Sequence, residues 1–453
     1  MNRCAMLLPL LMTSSLVAVA GEPGLTPHCG NPLLPGSFAD PSVVQQDGKV
    51  FVYGTGNSKT LGCWESTNFK NWIYRELNWP TLDECKKSPT SGGSAVWAPS
   101  VVQTRDGRFY MYVTVHSEVW VGTADNPLGP WSNLLGDKPL IPGNFRPGYH
   151  MIDAEAFIDD DGSAWLYWGS GLGWKNGKCW AVKLKSDMCS FDGEVRDVTP
   201  ENYFEGPIMV KRAGHYFLMY SQGVTIKDTY QIHYAVGDNP LGPFTEADNS
   251  PILVTDKANN VVSPGHHTIF RRDGKDYILY HRHGIPFDSN SIGRQVCVDE
   301  LIFTLDGRIE KVVPTHDGPS LVRGRLDGRG ALVATATASD MATRWNGAAC
   351  AVDDNYATCW QSTGKGGWLQ LDLAGIMAFS RQEIRFRSVW KPHRFRVQVS
   401  DDGAVWRTAA DHFGEAVTGS PVLVEQAEKA RYLRLSFPDD VENAAVIEWT
   451  IFK

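Results

Sequence analysis

Asp161-Gly162-Ser163-Ala164-Trp165-Leu166-Tyr167-Trp168 reads as a tight turn followed at once by a short aromatic strand. The same phrase returns as Asp47-Gly48 with Val50-Phe51-Val52-Tyr53, and as Asp106-Gly107-Arg108-Phe109-Tyr110-Met111-Tyr112. It returns again as Ala213-Gly214-His215-Tyr216-Phe217-Leu218-Met219-Tyr220 and as Asp273-Gly274-Lys275-Asp276-Tyr277-Ile278-Leu279-Tyr280. The glycine accepts the positive φ of a hairpin turn, and the aromatic run favours a strand. The equivalent aromatics Tyr53, Tyr112, Trp168, Tyr220 and Tyr280 lie 52 to 60 residues apart. That interval holds one four-stranded propeller blade. Five such units predict an all-β chain built on a five-bladed β-propeller, a ring whose loops converge on a centre. A second phrase, Val121-Gly122-Thr123-Ala124-Asp125-Asn126-Pro127-Leu128-Gly129-Pro130, recurs from Tyr234 to Pro243 and marks the same place in blades two and four.

With 453 residues the chain is too long for one ordinary core. Composition shifts over 312–332, and beyond it Arg394–Ser400 and Arg431–Ser436 alternate with period two, which predicts a small β-sandwich. The expected division is an export signal at 1–20, the propeller at 21–320 and the sandwich at 331–453. The signal is read from Met1-Asn2-Arg3, the apolar run Met6–Ala20 and its ending Ala18-Val19-Ala20. A secreted or periplasmic protein without a membrane partner is therefore expected. A net charge of −8 with no basic block argues against nucleic acid, and no obligate protein partner is evident. Sixteen Trp and fifteen Tyr suit sugar stacking, and equally suit β cores. Nine cysteines fall to eight once Cys4 is removed with the signal, an even number that favours disulfides in an exported chain. Close spacing makes Cys179–Cys189, Cys350–Cys359 and Cys63–Cys85 the candidate pairs, leaving Cys29 and Cys297 to meet if the ends of the ring meet.

The entrance to each blade's inner strand is where chemistry would gather. Asp40 in Phe38-Ala39-Asp40-Pro41, Asp153 in Ile152-Asp153-Ala154 and Glu205 in Phe204-Glu205-Gly206-Pro207 precede their hairpins by similar distances. The similar phase predicts three carboxylates on one face of the ring, near its axis. Mutual repulsion and burial would then raise at least one pKa, as an acid–base pair requires. The plain alternative makes Asp40 and Glu205 turn residues beside proline. His266 in Pro264-Gly265-His266 shares the phase and is a candidate to hold water or a metal, or is a buried histidine bonded to backbone. Trp97 in blade two, Phe38 and Phe204 are candidate sugar platforms or core. Arg294, in Ile292-Gly293-Arg294-Gln295, is a candidate partner for sugar hydroxyls or for an acid.

Taken in order, Asn31-Pro32 through Phe38-Ala39-Asp40-Pro41-Ser42, Trp97-Ala98-Pro99, Ile152-Asp153, Glu205-Gly206-Pro207 and Pro264-Gly265-His266 resemble glycoside hydrolase family 43 over roughly 31–311. The resemblance implies hydrolysis with inversion. It makes Asp40 the general base, Glu205 the general acid and Asp153 the acid that tunes and holds Glu205. His266 matches an axial histidine near a water-held calcium, and Arg294 an arginine at the innermost sugar subsite. Phe38, Trp97 and Phe204 are the expected sugar-facing aromatics. The chain departs from the family pattern at Ala154, where many members have proline.

Ala351-Val352-Asp353-Asp354-Asn355, Gly367-Trp368-Leu369-Gln370-Leu371-Asp372 and Arg394–Gly403 resemble a discoidin-like module (coagulation factor 5/8 type C). That implies a galactose-binding-like jelly roll, with a structural calcium near the Asp353 loop in some members. Trp345 and Trp390 are its candidate stacking residues. No cofactor is needed for the expected chemistry, and calcium would serve structure alone. The leading expectation is an exo-acting enzyme removing arabinofuranosyl units from plant cell-wall polysaccharide or oligosaccharide. The alternatives are a β-xylosidase, an exo-galactan or galactofuranoside hydrolase, or a non-catalytic glycan-binding protein.

Overall fold

The computed structural model describes residues 26–85, 95–285 and 292–453; the export signal expected at 1–20 lies outside them. Each quoted phrase is the turn between the first two strands of a blade. At Asp47-Gly48, Ala213-Gly214 and Asp273-Gly274 both residues have positive φ, from 50° to 86°. This is the two-residue turn whose twist matches a hairpin. In blades two and three only Gly107 and Gly162 are left-handed, and the turn is longer, closed by Thr104 N to Arg108 O and Asp159 N to Ser163 O.

Blade one spans Ala39–Gln46, Lys49–Thr55, Thr60–Ser66 and Ile73–Thr81, antiparallel in that order. Blade two runs from Val96 to Asn133, blade three from Glu155 to Asp197 and blade four from Glu205 to Glu246, each with four strands. Blade five has three, Gly265–Arg272, Lys275–His283 and Arg294–Leu301. The predicted aromatics Tyr53, Tyr112, Trp168, Tyr220 and Tyr280 are all fully buried between blades.

The free edge of blade five closes the ring without a covalent bond. Leu33 N donates to Val296 O, and the Asn31 amide brackets Val298, accepting from its N and donating to its O, each at 2.9 Å. Asn31 also reaches Thr315 O at 2.9 Å and is fully buried. Truncating it strands the buried backbone N–H and C=O of Val298, each costing about 1–3 kcal/mol. Asn31→Ala is therefore expected to destabilise the propeller by about 3 kcal/mol, read as a lower urea midpoint with unchanged slope.

The ends of the ring do meet, but Cys29 and Cys297 do not pair. All eight cysteines of the described residues are free thiols, which corrects the four expected disulfides. Cys297 turns to Gln295 O and Cys29 to Thr26. Cys63 and Cys179 pack beside Tyr53 and Tyr203 in the blade cores. Cys350 turns to Trp345 O, and Cys359 accepts from the Asn346 amide. Closeness in sequence did not translate into facing sulfurs.

The C-terminal sandwich is organised by two long strands, Trp368–Phe386 and Val422–Ser436, which pair in two stretches broken between Asp372 and Met377. The first stretch pairs with Thr335–Ala338, the second with Ala445–Phe452. The alternation read from sequence holds: Phe395, Val397, Val399, Leu433 and Leu435 are fully buried with Trp360 and Trp449.

Candidate active site

One residue per blade turns left-handed where the inner strand begins: Asp40 (φ 51°), Ala98 (44°), Asp153 (58°), Gly206 (60°) and His266 (41°). In four blades the pairing register slips here, between Ala39 and Ser42, Trp97 and Ser100, Glu205 and Ile208, and Gly265 and His267. Such a bulge re-aims a side chain out of the ladder. The left-handed backbone costs a non-glycine residue about 1–2 kcal/mol, and the neighbouring blade holds it in place. Asp40 N donates to His281 Nδ1 (3.3 Å), Ala98 N to Thr55 Oγ1 (2.8 Å), Asp153 N to Thr114 Oγ1 (3.0 Å) and His266 N to Ser221 Oγ (2.9 Å). A belt of second-strand side chains thus fixes the inner turn of the next blade.

This belt corrects the phase read from sequence. Asp40, Asp153 and His266 are equivalent. Trp97 and Glu205 stand one residue earlier, because Ala98 and Gly206 fill the left-handed slot in their blades.

The structure brings Asp40, Asp153, Glu205, His266 and Arg294 together. Asp40 is 2 % exposed. Its Oδ1 accepts from Arg294 Nη1 at 2.8 Å and lies 3.2 Å from His281 Nδ1 and 3.4 Å from His266 Nδ1. Its Oδ2 accepts from the Thr55 hydroxyl at 2.6 Å. Burial alone would raise the Asp40 pKa, but its charged surroundings, the Arg294 guanidinium foremost, outweigh it and hold the carboxyl well below its usual range. Burial, then Arg294, pushes His281 down to about 3, so it accepts from Asp40 N as a neutral ring.

Glu205 Oε1 accepts from Tyr230 OH at 2.7 Å and Oε2 from Ser170 Oγ at 2.8 Å. Burial raises its pKa, and those two hydrogen bonds only partly offset the rise. Asp153 is pushed well up by burial, then by Glu205 and Asp40; its Oδ2 lies 3.7 Å from His266 Nδ1. Asp153 and Glu205 repel one another, so the pair keeps a proton at pH values where a solvated carboxyl has lost it. The site therefore holds one carboxylate fixed in its charged form and a buried pair that retains a proton.

Thr55, Ser170, Tyr230 and His281 were not anticipated. His281, directly after the repeated Tyr280, and Thr55, two residues after the repeated Tyr53, had a visible signal. The aromatics also differ from expectation. Phe38 (1 % exposed) packs edge-on against Trp64 and Trp390, and Phe204 (6 %) is stacked beneath Trp174 at 5.7 Å. Trp97, one of the three expected, is partly exposed with its indole N–H tied to His116 O, and Trp174, which is 41 % exposed, is an open aromatic surface that was not expected. Trp174 and Phe204, the residue before Glu205, wall a cavity of about 790 Å³ with Tyr149, Lys178, Asn202 and Gln222.

His266 was the expected metal contact, but its Nδ1 faces the carboxylates, and His267 is the histidine with two unpartnered ring nitrogens. His267, His266, Asp153 and Glu155 line an axial void of about 10 Å³, room for one water. Burial pushes Glu155 up to about 7. Among the described residues no three His, Cys, Asp or Glu side chains gather to hold a metal. In the sandwich, the Asp353 oxygens are taken by the Thr358 hydroxyl and Asn355 N. Neither place fits a directly coordinated calcium ion.

The model of glycosyl hydrolases family 43 matches residues 29–309, and that of the F5/8 type C domain residues 334–450. The beta-D-galactofuranosidase xynD of Aspergillus niger is 33% identical over 336 residues, covering 70% of this chain and 94% of that protein. A xylosidase/arabinosidase of Bacteroides ovatus is 27% identical, covering 61% and 95%. A solved glycoside hydrolase superposes with a TM-score of 0.79 at 26% identity, covering 95% of this chain and all of that one. An alpha-L-arabinofuranosidase from Clostridium thermocellum gives 0.51 at 28% identity, covering 62% and 95%. On the family match, the five-bladed ring and the cluster of carboxylates at its centre, the chain belongs to glycoside hydrolase family 43 and carries an F5/8 type C domain behind its propeller.

Proposed function

We propose that the protein is an inverting, exo-acting furanosidase. It removes terminal sugars of the ring configuration that α-L-arabinofuranosides and β-D-galactofuranosides share. The observation that carries the mechanism is the opposite electrostatic treatment of the carboxyls: Asp40 held charged by Arg294, and Glu205 buried with Asp153 so that the pair keeps a proton. Environments that push carboxyl pKa values apart separate a base from an acid.

In this reading Asp40 takes a proton from water as the oxygen attacks the anomeric carbon, while Glu205 protonates the departing glycosidic oxygen. Inversion needs the two carboxyls about 6.5–9.5 Å apart, so that the water fits between base and sugar. Asp153 supplies the repulsion that keeps a proton on the pair. Arg294 orients Asp40, and Tyr230 and Ser170 fix the Glu205 carboxyl. Trp174, stacked on Phe204, the residue before Glu205, takes the leaving-group side of the substrate.

The galactofuranoside reading ranks first, because the relative at 33% identity carries that name and the reported relatives named for xylose or arabinose are at 28% or below. The two furanosides differ by an exocyclic hydroxymethyl group, so one pocket can serve both. The test is release of 4-nitrophenol from α-L-arabinofuranoside, β-D-galactofuranoside, β-D-xyloside and β-D-galactopyranoside. Furanosides alone are expected to turn over, with the first-formed sugar of inverted anomeric configuration by proton NMR. Turnover of the xyloside alone would overturn the furanoside reading, and a retained anomer the mechanism.

A further inference from the structure

The propeller and the sandwich are fixed against one another by buried polar contacts. Arg325 is 4 % exposed, lies over the Tyr356 ring at 3.9 Å, and donates to Asp354 Oδ1 at 3.0 Å and to Cys29 O at 2.7 Å. Arg385 Nη1 donates to Trp72 O at 3.0 Å, and Tyr74 N to Ser420 O at 2.8 Å. Trp390 of the sandwich sits 5.6 Å from Phe38, two residues from Asp40. A cleft between bodies locked in this way is preformed.

Such a cleft, of about 540 Å³, lies between Ser37, Gly293 and Gln295 on the propeller and Thr343, Trp345 and Asn346 on the sandwich. Its propeller wall is continuous with the funnel. Gly293 and Gln295 flank Arg294, whose N donates to Ser37 Oγ at 3.2 Å and whose guanidinium holds Asp40. Its chemistry is that of amides, hydroxyls and an indole, and among the described residues no carboxylate lines it. Gln295 is 8 % exposed, and its Oε1 has no partner. The Trp345 ring is braced by the Arg344 guanidinium at 4.1 Å.

We infer that this cleft is a second saccharide site, built jointly by both domains, which holds a short neutral segment of the polymer whose terminal sugar enters the funnel. A neutral sugar chain presents hydroxyls to amides and hydroxyls, and C–H faces to an indole. The volume lies within the roughly 300–1,000 Å³ of small-ligand sites. Among the described residues that line the cleft, an anionic ligand would find Arg387 as the one charged group, already donating to Gln361 Oε1 at 2.9 Å. The site rests on the proposed glycosidase reading for its link to the funnel.

The test is calorimetric titration of the full-length Asp40→Asn protein with xylotriose, arabinotriose and β-1,4-galactotriose. One of these is expected to bind at two sites per chain. Trp345→Ala in the same background is expected to remove one site or weaken it at least tenfold, and Trp345→Phe to restore it. Ala342→Arg, at a residue of the cleft with no side-chain hydrogen bond to lose, blocks it without touching the indole and answers for a loosened Trp345→Ala loop. No binding beyond the funnel, or a second site that survives both Trp345→Ala and Ala342→Arg, overturns the inference. Failure of the glycosidase reading looks different: the wild-type protein would release no nitrophenol from any aryl glycoside.

Discussion

Asp40→Asn is expected to lower kcat/KM on every substrate by ~10³-fold or more, about 4 kcal/mol of transition-state stabilisation. Asparagine fills the same left-handed slot, its Oδ1 still accepts from Arg294, and its NH2 can donate to a Thr55 hydroxyl turned to accept, so the fold should persist. What disappears is the charge. The wild-type carboxylate is bonded to the Arg294 guanidinium, the largest of the influences that overcome the cost of burial and keep it ionised well below the usual carboxylate range. A group lowered in this way is lost to function only as pH falls through its depressed pKa. The acid limb of the wild-type kcat/KM profile should therefore lie below that of a solvated carboxyl, with activity present above it. Because the base serves the attacking water and not the leaving group, a better leaving group should not rescue Asp40→Asn. Retention of more than a tenth of wild-type activity on aryl and natural substrates alike would remove Asp40 from the role of base.

How far the sequence speaks depends on how local the physics is. The five blades were legible because Asp-Gly turns and the aromatic strands after them are decided within eight residues, and the positive φ values at Asp47-Gly48 and Asp273-Gly274 are those the turn required. The carboxylates were legible as a set, since each stands at the entrance of a repeat. Their exact phase was not. Whether Gly206 or Glu205 takes the left-handed position is decided by a bulge and by the side chains of the preceding blade, as Ser221 does for His266. Thr55 ends a repeated aromatic strand, but Ser170 and Tyr230 reach the site from segments that carry no motif, so only the folded ring places their hydroxyls. Sulfur pairing failed for the same reason, and ring closure fell to Asn31, whose amide was quoted in a motif but not read as a clasp. Phe38 was taken for a sugar platform because its burial depends on Trp390, a residue of the other domain. Exposed Trp174 was overlooked because it lies in a short helical turn, Leu172–Trp174, outside every repeat.

Glu205→Gln should separate substrates where Asp40→Asn does not. A natural glycosidic oxygen is a poor leaving group and must be protonated as it departs, so removing the acid is expected to cost ~10²–10⁴-fold on oligosaccharides. On 4-nitrophenyl glycosides the leaving group carries the charge itself, and the loss should shrink to about tenfold or less. A plot of log kcat/KM against leaving-group pKa should accordingly be steeper in the variant than in the wild type. The pH profile gives an independent reading. Burial raises Glu205, and burial with the repulsion of Glu205 raises Asp153. The wild type then loses activity as pH rises through that elevated range and the acid gives up its proton. Glutamine has no proton to lose, so the alkaline limb should vanish on the aryl substrate while the acid limb, set by Asp40, stays. Tyr230 and Ser170, which donate to the two carboxyl oxygens, can each still bond the amide of the variant, so a collapse of the site is not the expected cause of lost activity. If Glu205→Gln instead costs as much on nitrophenyl as on natural glycosides, Glu205 positions the substrate, and Asp153, buried beside it with a raised pKa, is the remaining source of the proton.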